Sequence, residues 1–186
     1  MQIRTERLDL FIVMRIAVSG THGVGKSTLI DEFLLVHPEF EHEPEPYAVL
    51  VEDYGEEFSE EPCVEDFLRQ LEFNLERLRQ HASGENVIYE RCPFDFLAYL
   101  NALDANIPDA LMKRISEAIQ QLDLIVYLPL EHEGGGEFPK LRRAMDHHLS
   151  EILTSTNVTV VEATGSTSQR LRAVENALTD IKHAAR

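Results

Sequence analysis

The chain has 186 residues, 44% of them hydrophobic and 27% charged, which is ordinary for a soluble globular protein long enough to bury a core. Its formal net charge of −16 repels phosphate backbones and anionic lipid, which argues against nucleic acids and membrane surfaces as partners. Its two cysteines, Cys63 and Cys92, do not indicate a disulfide framework.

The first thirteen residues mix charged residues with a short apolar patch. They carry neither a cleavage signal nor an apolar run of the roughly 20 residues that a membrane span needs. Met14 stands directly before the first convincing strand. We therefore expect a single domain over 14–186. Residues 1–13 are interpreted as an extension, either disordered or not native to the protein.

Apolar runs and helical periodicity predict strands that alternate with helices along the whole chain. The predicted strands are 15–19, 40–43, 87–89, 124–128 and 158–161. The predicted helices are 26–37, 64–82, 94–103, 108–121, 138–153 and 167–183. The acidic stretch 39–66 is interpreted as a solvated helix and loop. This alternation favours an α/β fold with a parallel sheet covered on both faces, in which ligands bind at the carboxyl ends of the strands.

One segment between the first predicted strand and the first predicted helix is rich in glycine. It reads Gly20-Thr21-His22-Gly23-Val24-Gly25-Lys26-Ser27 and matches G-x-x-x-x-G-K-[ST] at every position. The glycines let backbone N–H groups face the phosphates, and the helix N-terminus adds partial positive charge. We expect Lys26 to neutralise the terminal phosphates, Ser27 to ligate Mg²⁺ and Thr28 to hold the α-phosphate. The segment predicts a protein that binds ATP or GTP together with Mg²⁺.

This segment, Gly20 to Ser27, is a P-loop, and a P-loop alone does not determine a reaction. The residues at the ends of the other strands must therefore be considered. The segment 43–47 reads Glu-Pro-Glu-Pro-Tyr, and the segment 87–95 reads Val-Ile-Tyr-Glu-Arg-Cys-Pro-Phe-Asp. They are similar to the Glu-Pro segment and the Glu/Asp-Arg-Ser motif of deoxynucleoside kinases. From Met14 onward the chain resembles the P-loop nucleoside and nucleotide kinases, including the nicotinamide riboside kinase type of domain. The resemblance implies a three-layer P-loop NTPase sandwich with strand order 2-3-1-4-5.

The resemblance also implies roles for residues at these strand ends. Glu45, with Glu43 as the alternative, matches the glutamate that acts as general base toward the substrate hydroxyl. A carboxylate here also faces the γ-phosphate across the cleft, where a proton acceptor is useful. Glu90 would order Mg²⁺ or the nucleophile, and Arg91 would bridge phosphate groups.

Two further positions near the third strand have open interpretations. Cys92 stands where the family has serine. Asp95 lies one helical turn further on, where it either binds a substrate sugar or base or caps the helix.

The segment after the fourth strand is similar to the strand that leads into a kinase lid. Gly134 to Gly136 would supply its hinge, while Lys140, Arg142 and Arg143 would close over ATP. The family has several regularly spaced arginines here, whereas this chain has one adjacent pair. In related kinases the loop that contains Gly165 lies beside the nucleotide base.

The leading hypothesis is a kinase that transfers the γ-phosphoryl group of ATP to a nucleoside, nucleotide or similar small molecule. The alternative is a regulatory ATPase without a small-molecule acceptor. A switch GTPase would need an Asn-Lys-x-Asp segment, which the sequence lacks. The use of ATP and the lack of an export signal predict a cytoplasmic location. Both a monomer and a homodimer are compatible with the sequence.

Overall fold

A computed structural model describes residues 13–80, 84–132 and 137–184. The strands are β1 (Arg15–Ser19), β2 (Phe40–Glu43), β3 (Asn86–Glu90), β4 (Leu124–Tyr127) and β5 (Thr159–Glu162). The helices are α1 (Lys26–Val36), α2 (Pro46–Glu52), α3 (Val64–Gln80), α4 (Pro93–Ala102), α5 (Asp109–Ile119), α6 (Pro139–Thr154) and α7 (Thr167–Ala184).

The five strands form one parallel sheet in the order β2-β3-β1-β4-β5. Val18 pairs with Glu90 on one side of β1 and with Val126 on the other. The carboxyl ends of β1, β3 and β4 therefore lie side by side, and the loops that follow them share one edge. The predicted parallel sheet and its strand order are confirmed.

Alternation along the central strands divides the core into two layers. Ala17 of β1 packs in one cluster with Leu71 of α3, Phe96 of α4 and Met145 of α6. Its neighbours in β1 face the other way, and Ile16 lies in a second cluster with Leu29 and Phe33 of α1 and Val174 and Leu178 of α7. Helices thus cover both faces, as the three-layer interpretation predicts.

The structure departs from the predicted elements in two places. Helix α2 lies inside the acidic stretch that the sequence indicates only as a solvated helix and loop, and it begins at Pro46, a residue favoured at the first helical position. The sequence predicts a sheet covered on both faces, but strands β2 and β5 are only partly buried. Both are edge strands, so only part of each is covered by neighbours.

The residue that precedes β1 is held against the sheet. Met14 is buried, and its amide donates to Asn86 Oδ1 at 2.9 Å. Residues 1–12 lie outside the described residues, so the interpretation of 1–13 as an extension stays a prediction. Among the described helices, none combines the length and the apolar character that a membrane crossing requires.

Candidate functional site

The P-loop turns tightly because three of its residues are glycines with positive φ. Gly20, Gly23 and Gly25 have φ of 146°, 74° and 94°. A Cβ on Gly20 would lie 2.5 Å from the carbonyl oxygen of Leu128, so no larger residue fits there. Gly25 is the N-cap of α1, which directs the positive end of that helix at the loop.

Lys26 is the charged group at the centre of this loop. Only 4% of the residue is exposed, and its Nζ donates to the Thr21 carbonyl oxygen at 3.1 Å. Burial, reinforced by the nearby charge of Arg91, lowers the pKa of Lys26 to about 8, although Glu45, Asp95 and Glu90 oppose the shift. The ammonium group is thus held in a site that an anion would stabilise.

Ser27 and Glu90, the predicted Mg²⁺ ligands, contact each other. The Ser27 hydroxyl donates to Glu90 Oε1 at 3.0 Å. Burial raises the pKa of the Glu90 carboxyl, Glu45 adds to that effect, and Lys26 opposes it. Among the described residues no group of three or more His, Cys, Asp or Glu side chains is arranged to hold a metal ion. A hydroxyl and one carboxylate suit Mg²⁺, which usually arrives with substrate phosphates rather than in an all-protein cage.

Arg91 joins the P-loop to the second strand end. Its side chain is 3% exposed, its Nη1 donates to the Gly20 carbonyl oxygen at 2.9 Å, and its Nε donates to the Glu45 carboxylate. Burial opposes its charge, but Glu45 and Asp95 outweigh burial and raise the pKa of Arg91. The backbone of Arg91 has φ of 77°, an uncommon conformation for a residue with a side chain that recurs at functional sites.

The structure shows Asp95 as a helix cap that also holds the P-loop. The side chain has no exposed surface. Its Oδ1 accepts from the Gly20 amide at 2.9 Å, and its Oδ2 accepts from the Cys92 amide, also at 2.9 Å. The capping interpretation is therefore the one that this geometry describes, and substrate contact by Asp95 remains a prediction. Cys92 is likewise buried, its sulfur accepts from the Ser19 hydroxyl at 3.2 Å, and burial raises the pKa of its thiol.

Asp95→Asn is expected to lower the free energy of unfolding by about 2–4 kcal/mol, because one carboxylate oxygen becomes an amide that faces a buried N–H donor. Urea unfolding measures the change. Asp109→Asn at the exposed start of α5 is the matched control and should cost less than about 1 kcal/mol. Equal stability of Asp95→Asn and the wild type would contradict the anchoring role.

The two candidate general bases, Glu43 and Glu45, have different surroundings. Glu43 pairs with the buried Arg77, which also donates to the Pro44 carbonyl oxygen at 2.6 Å. Glu45 instead faces the P-loop. Burial alone would raise the pKa of Glu45, but Arg91 and then Lys26 outweigh it and hold that pKa at about 2. Glu45 is therefore ionised across the physiological range and is the better placed proton acceptor.

His22 and Arg142 connect the P-loop to the start of α6. His22 Nε2 lies 3.0 Å from the Glu137 carbonyl oxygen, and its Nδ1 lies 3.3 Å from the Tyr99 hydroxyl. Burial lowers the pKa of His22, and the cations Arg142, Arg91 and Lys26 reinforce the shift, so the neutral ring donates through Nε2. Arg142 is buried beside Gly23, where a Cβ would lie 3.7 Å from its Nη2.

The other predicted lid residues are placed less favourably or are not described. Arg143 and Lys140 are exposed on α6. The predicted hinge, residues 134–136, lies outside the described residues. Of the predicted lid cations, Arg142 is the one that the structure brings to the phosphate-binding loop.

A third arginine at the P-loop, besides Arg91 and Arg142, was missed by sequence reasoning. Arg170 of α7 donates to the Val24 carbonyl oxygen at 2.6 Å and to Glu131 Oε2 at 2.9 Å. Glu131 Oε1 in turn accepts from the amide of Gly165, which has φ of 82°. These contacts fasten the predicted base-side loop to the back of the P-loop. Arg170 sits in a helix without a motif, so no local pattern marks it.

Two adjoining pockets open at this edge of the sheet. The smaller, of about 340 Å³, is lined by His22, Gly23, Gly25, Lys26, Ser27, Thr28, Glu45 and Glu90. The larger, of about 560 Å³, lies between the P-loop, α3 and the start of α6. His22 and Glu45 line both pockets. The pocket at the P-loop thus lies next to a cavity with room for a second small molecule.

The sequence profile of the AAA domain family matches residues 15–170, which include the P-loop, the Glu45 segment and the Glu90-Arg91 strand end. The chain belongs to this family. No curated protein matches the sequence of this AAA domain significantly.

Solved structures share the fold of this AAA domain. Deoxyadenosine kinase from M. mycoides, with its products dCMP and dCDP bound, superposes with a TM-score of 0.61 at 18% identity, over 90% of this chain and 100% of that one. Thymidylate kinase from Candida albicans superposes with a TM-score of 0.62 at 16% identity, over 92% of this chain and 93% of that one. The resemblance to the nucleoside and nucleotide kinases is thus confirmed for the fold.

Proposed function

We propose that this AAA domain is a kinase that transfers the γ-phosphoryl group of ATP to a hydroxyl of a small molecule. The observation that carries the proposal is the position of Glu45 and His22, which line both the P-loop pocket and the adjoining cavity. A donor phosphate and an acceptor hydroxyl could therefore meet at one ionised carboxylate. The kinase fold of the structural neighbours supports this interpretation.

In the proposed reaction the residues mainly position groups and neutralise charge. The P-loop amides and Lys26 hold the β- and γ-phosphates, and Arg91 lies where charge develops on the transferred group. The acceptor oxygen forms a bond to the γ-phosphorus while the bond from that phosphorus to the β-bridging oxygen breaks and ADP leaves. The proton of the acceptor hydroxyl passes to Glu45, whose pKa of about 2 keeps it ionised and makes it a weak base, so the proton moves as the new oxygen–phosphorus bond forms.

Ser27 and Glu90 are the residues that would hold Mg²⁺ when it arrives with the nucleotide. Bound there, the ion would neutralise phosphate charge. Because the reaction uses ATP, we also propose that the protein acts in the cytoplasm.

The affinity for ATP is expected to be constant up to about pH 8 and to fall at higher pH. Burial sets the pKa of Lys26 at about 8 in the free protein, so above that pH binding must first return a proton to the amine. Below that pH the ammonium is already present. The loss approaches tenfold for each further pH unit. Calorimetric titrations between about pH 7.5 and 9.5 measure it, and a wild-type affinity that stays flat or rises there would contradict the assignment.

The kinase is tested by ADP formation with and without a panel of nucleosides, nucleotides and nicotinamide riboside. A kinase turns ATP over slowly alone and faster with one acceptor. If no acceptor accelerates turnover, the regulatory ATPase alternative replaces the proposal.

A further inference from the structure

The larger cavity has aromatic walls suited to a flat ring. Its aromatic side chains are Tyr47, Phe58, Phe67, Tyr99 and Phe138. Phe67 and Tyr99 are stacked, with ring centroids 4.4 Å apart and planes 6° from parallel. Tyr47 and Phe58 form a second pair with centroids 4.9 Å apart. Aromatic side chains that line a cavity offer apolar contact to planar ligands.

The charges around the cavity are predominantly negative. Its described lining residues include four carboxylates, Glu45, Glu60, Asp66 and Glu137, and one permanent cation, Arg91. His22 also lines it, but burial lowers the pKa of this ring and favours its neutral form.

Two carboxylates of the cavity, Glu45 and Asp66, have low pKa values, and each contacts an arginine. Asp66 accepts from Arg69 and from the Ser59 amide, and although burial opposes them, these contacts hold the pKa of Asp66 at about 2. The Arg91 guanidinium already donates to Glu45 and to the Gly20 carbonyl oxygen. Among the described lining residues, an additional anion in the cavity would therefore find no permanent cation that lacks a carboxylate partner.

A phosphate group on the acceptor would be poorly accommodated by this cavity. Proteins recognise a phosphomonoester with arginine or lysine side chains that are free to form paired hydrogen bonds. Here the phosphate charge of about −1.5 to −2 would face carboxylates at short range. The repulsion discriminates between two acceptors that share a ring and a sugar but differ by one phosphate.

We propose that the acceptor is an aromatic ring compound with a free hydroxyl and no phosphate, either uncharged or positively charged. This inference rests on the proposed kinase activity and narrows its acceptor, because the proposed function allows both nucleosides and nucleotides. The aromatic pairs hold the ring, and the carboxylates exclude the phosphorylated counterpart.

Matched acceptor pairs test the inference: adenosine with AMP, thymidine with thymidylate, and nicotinamide riboside with its mononucleotide. The measured quantity is kcat/KM for transfer from γ-labelled ATP. We expect the unphosphorylated member of the accepted pair to be preferred by about a hundredfold or more. Preference for a monophosphate would overturn the inference and leave the kinase standing. If neither member of any pair receives the label, the kinase proposal itself fails.

A charge variant tests whether the cavity causes the preference. Glu60→Gln removes one carboxylate at the cavity wall, and Glu61→Gln removes an exposed neighbour that does not line it. Glu60→Gln should reduce the preference against the monophosphate severalfold, while Glu61→Gln should change it by less than about twofold. Equal effects of the two variants would assign the preference to the overall acidity of the protein and overturn the role of the cavity.

Discussion

Lys26→Met is expected to lower the affinity for ATP by about a hundredfold or more and, at the same time, to stabilise the nucleotide-free protein. The variant loses a charge-assisted contact to the terminal phosphates. It also removes an ammonium group whose burial costs more than the nearby carboxylates offset, and Met fills a similar volume.

The sign of the stability change follows from proton binding. The pKa of Lys26 is about 8 in the folded protein and 10.5 for a fully solvated lysine side chain, so the unfolded chain binds more protons between those values. The wild type therefore gains stability as pH rises from about 8 to 10.5, and at neutral pH the whole cost of the buried charge is present. Removing it should add on the order of 2 kcal/mol to the free energy of unfolding.

Thermal unfolding at pH 7 and nucleotide titration measure both effects on the same samples. The expected stabilisation corresponds to a rise in Tm of about 4–8 °C for a chain of this size. Lys113→Met, at an exposed position of α5, is the matched control and should leave Tm and ATP affinity unchanged. A Lys26→Met protein that melts below the wild type would show that the P-loop gains more from the lysine than its burial costs.

Glu45→Gln is expected to lower kcat by about 10²- to 10³-fold while ATP still binds with at least wild-type affinity. The amide keeps an oxygen that can accept from Arg91, but it cannot take the proton of an acceptor hydroxyl. Removal of a negative charge beside the phosphates gives no reason for weaker ATP binding.

Glu41→Gln, on the exposed side of β2, is the control for the loss of one carboxylate and should retain full activity. The pH dependence adds a second check. Because the pKa of Glu45 is about 2, this carboxylate should produce no acid limb in the rate above about pH 4. If Glu45→Gln retains wild-type kcat with a working acceptor, Glu45 is not the proton acceptor.

Local patterns were sufficient to predict most of the fold. Buried β1, β3 and β4 are short apolar runs followed by turn residues, and the P-loop fixes the first strand-to-helix turn. Strand order came from the resemblance, since nothing in the residues of β2 states that it lies beside β3. The bounds of helix α2 were not predicted, because this short helix starts at Pro46 within a strongly acidic stretch that has no clear periodicity.

Residues of the candidate site that belong to a local motif could be predicted from the sequence. Residues that reach the site through contacts between distant parts of the sequence could not. Lys26 and Ser27 follow from the motif alone. The sequence left the role of Asp95 undecided between substrate binding and helix capping. Only the folded geometry brings its carboxylate to the Gly20 amide, 75 residues away in sequence. Arg170 reaches the P-loop across 146 residues, a contact that no spacing rule anticipates.

The fate of the γ-phosphoryl group tests the central claim most directly. The wild type and Glu45→Gln are incubated with Mg²⁺, γ-labelled ATP and the acceptor panel, and the label is followed into acceptor and into inorganic phosphate. We expect the label in one hydroxyl-bearing acceptor with the wild type and its loss from that product with Glu45→Gln. Label found solely as inorganic phosphate, at the same rate in both proteins and with every acceptor, would contradict a kinase and identify an ATPase.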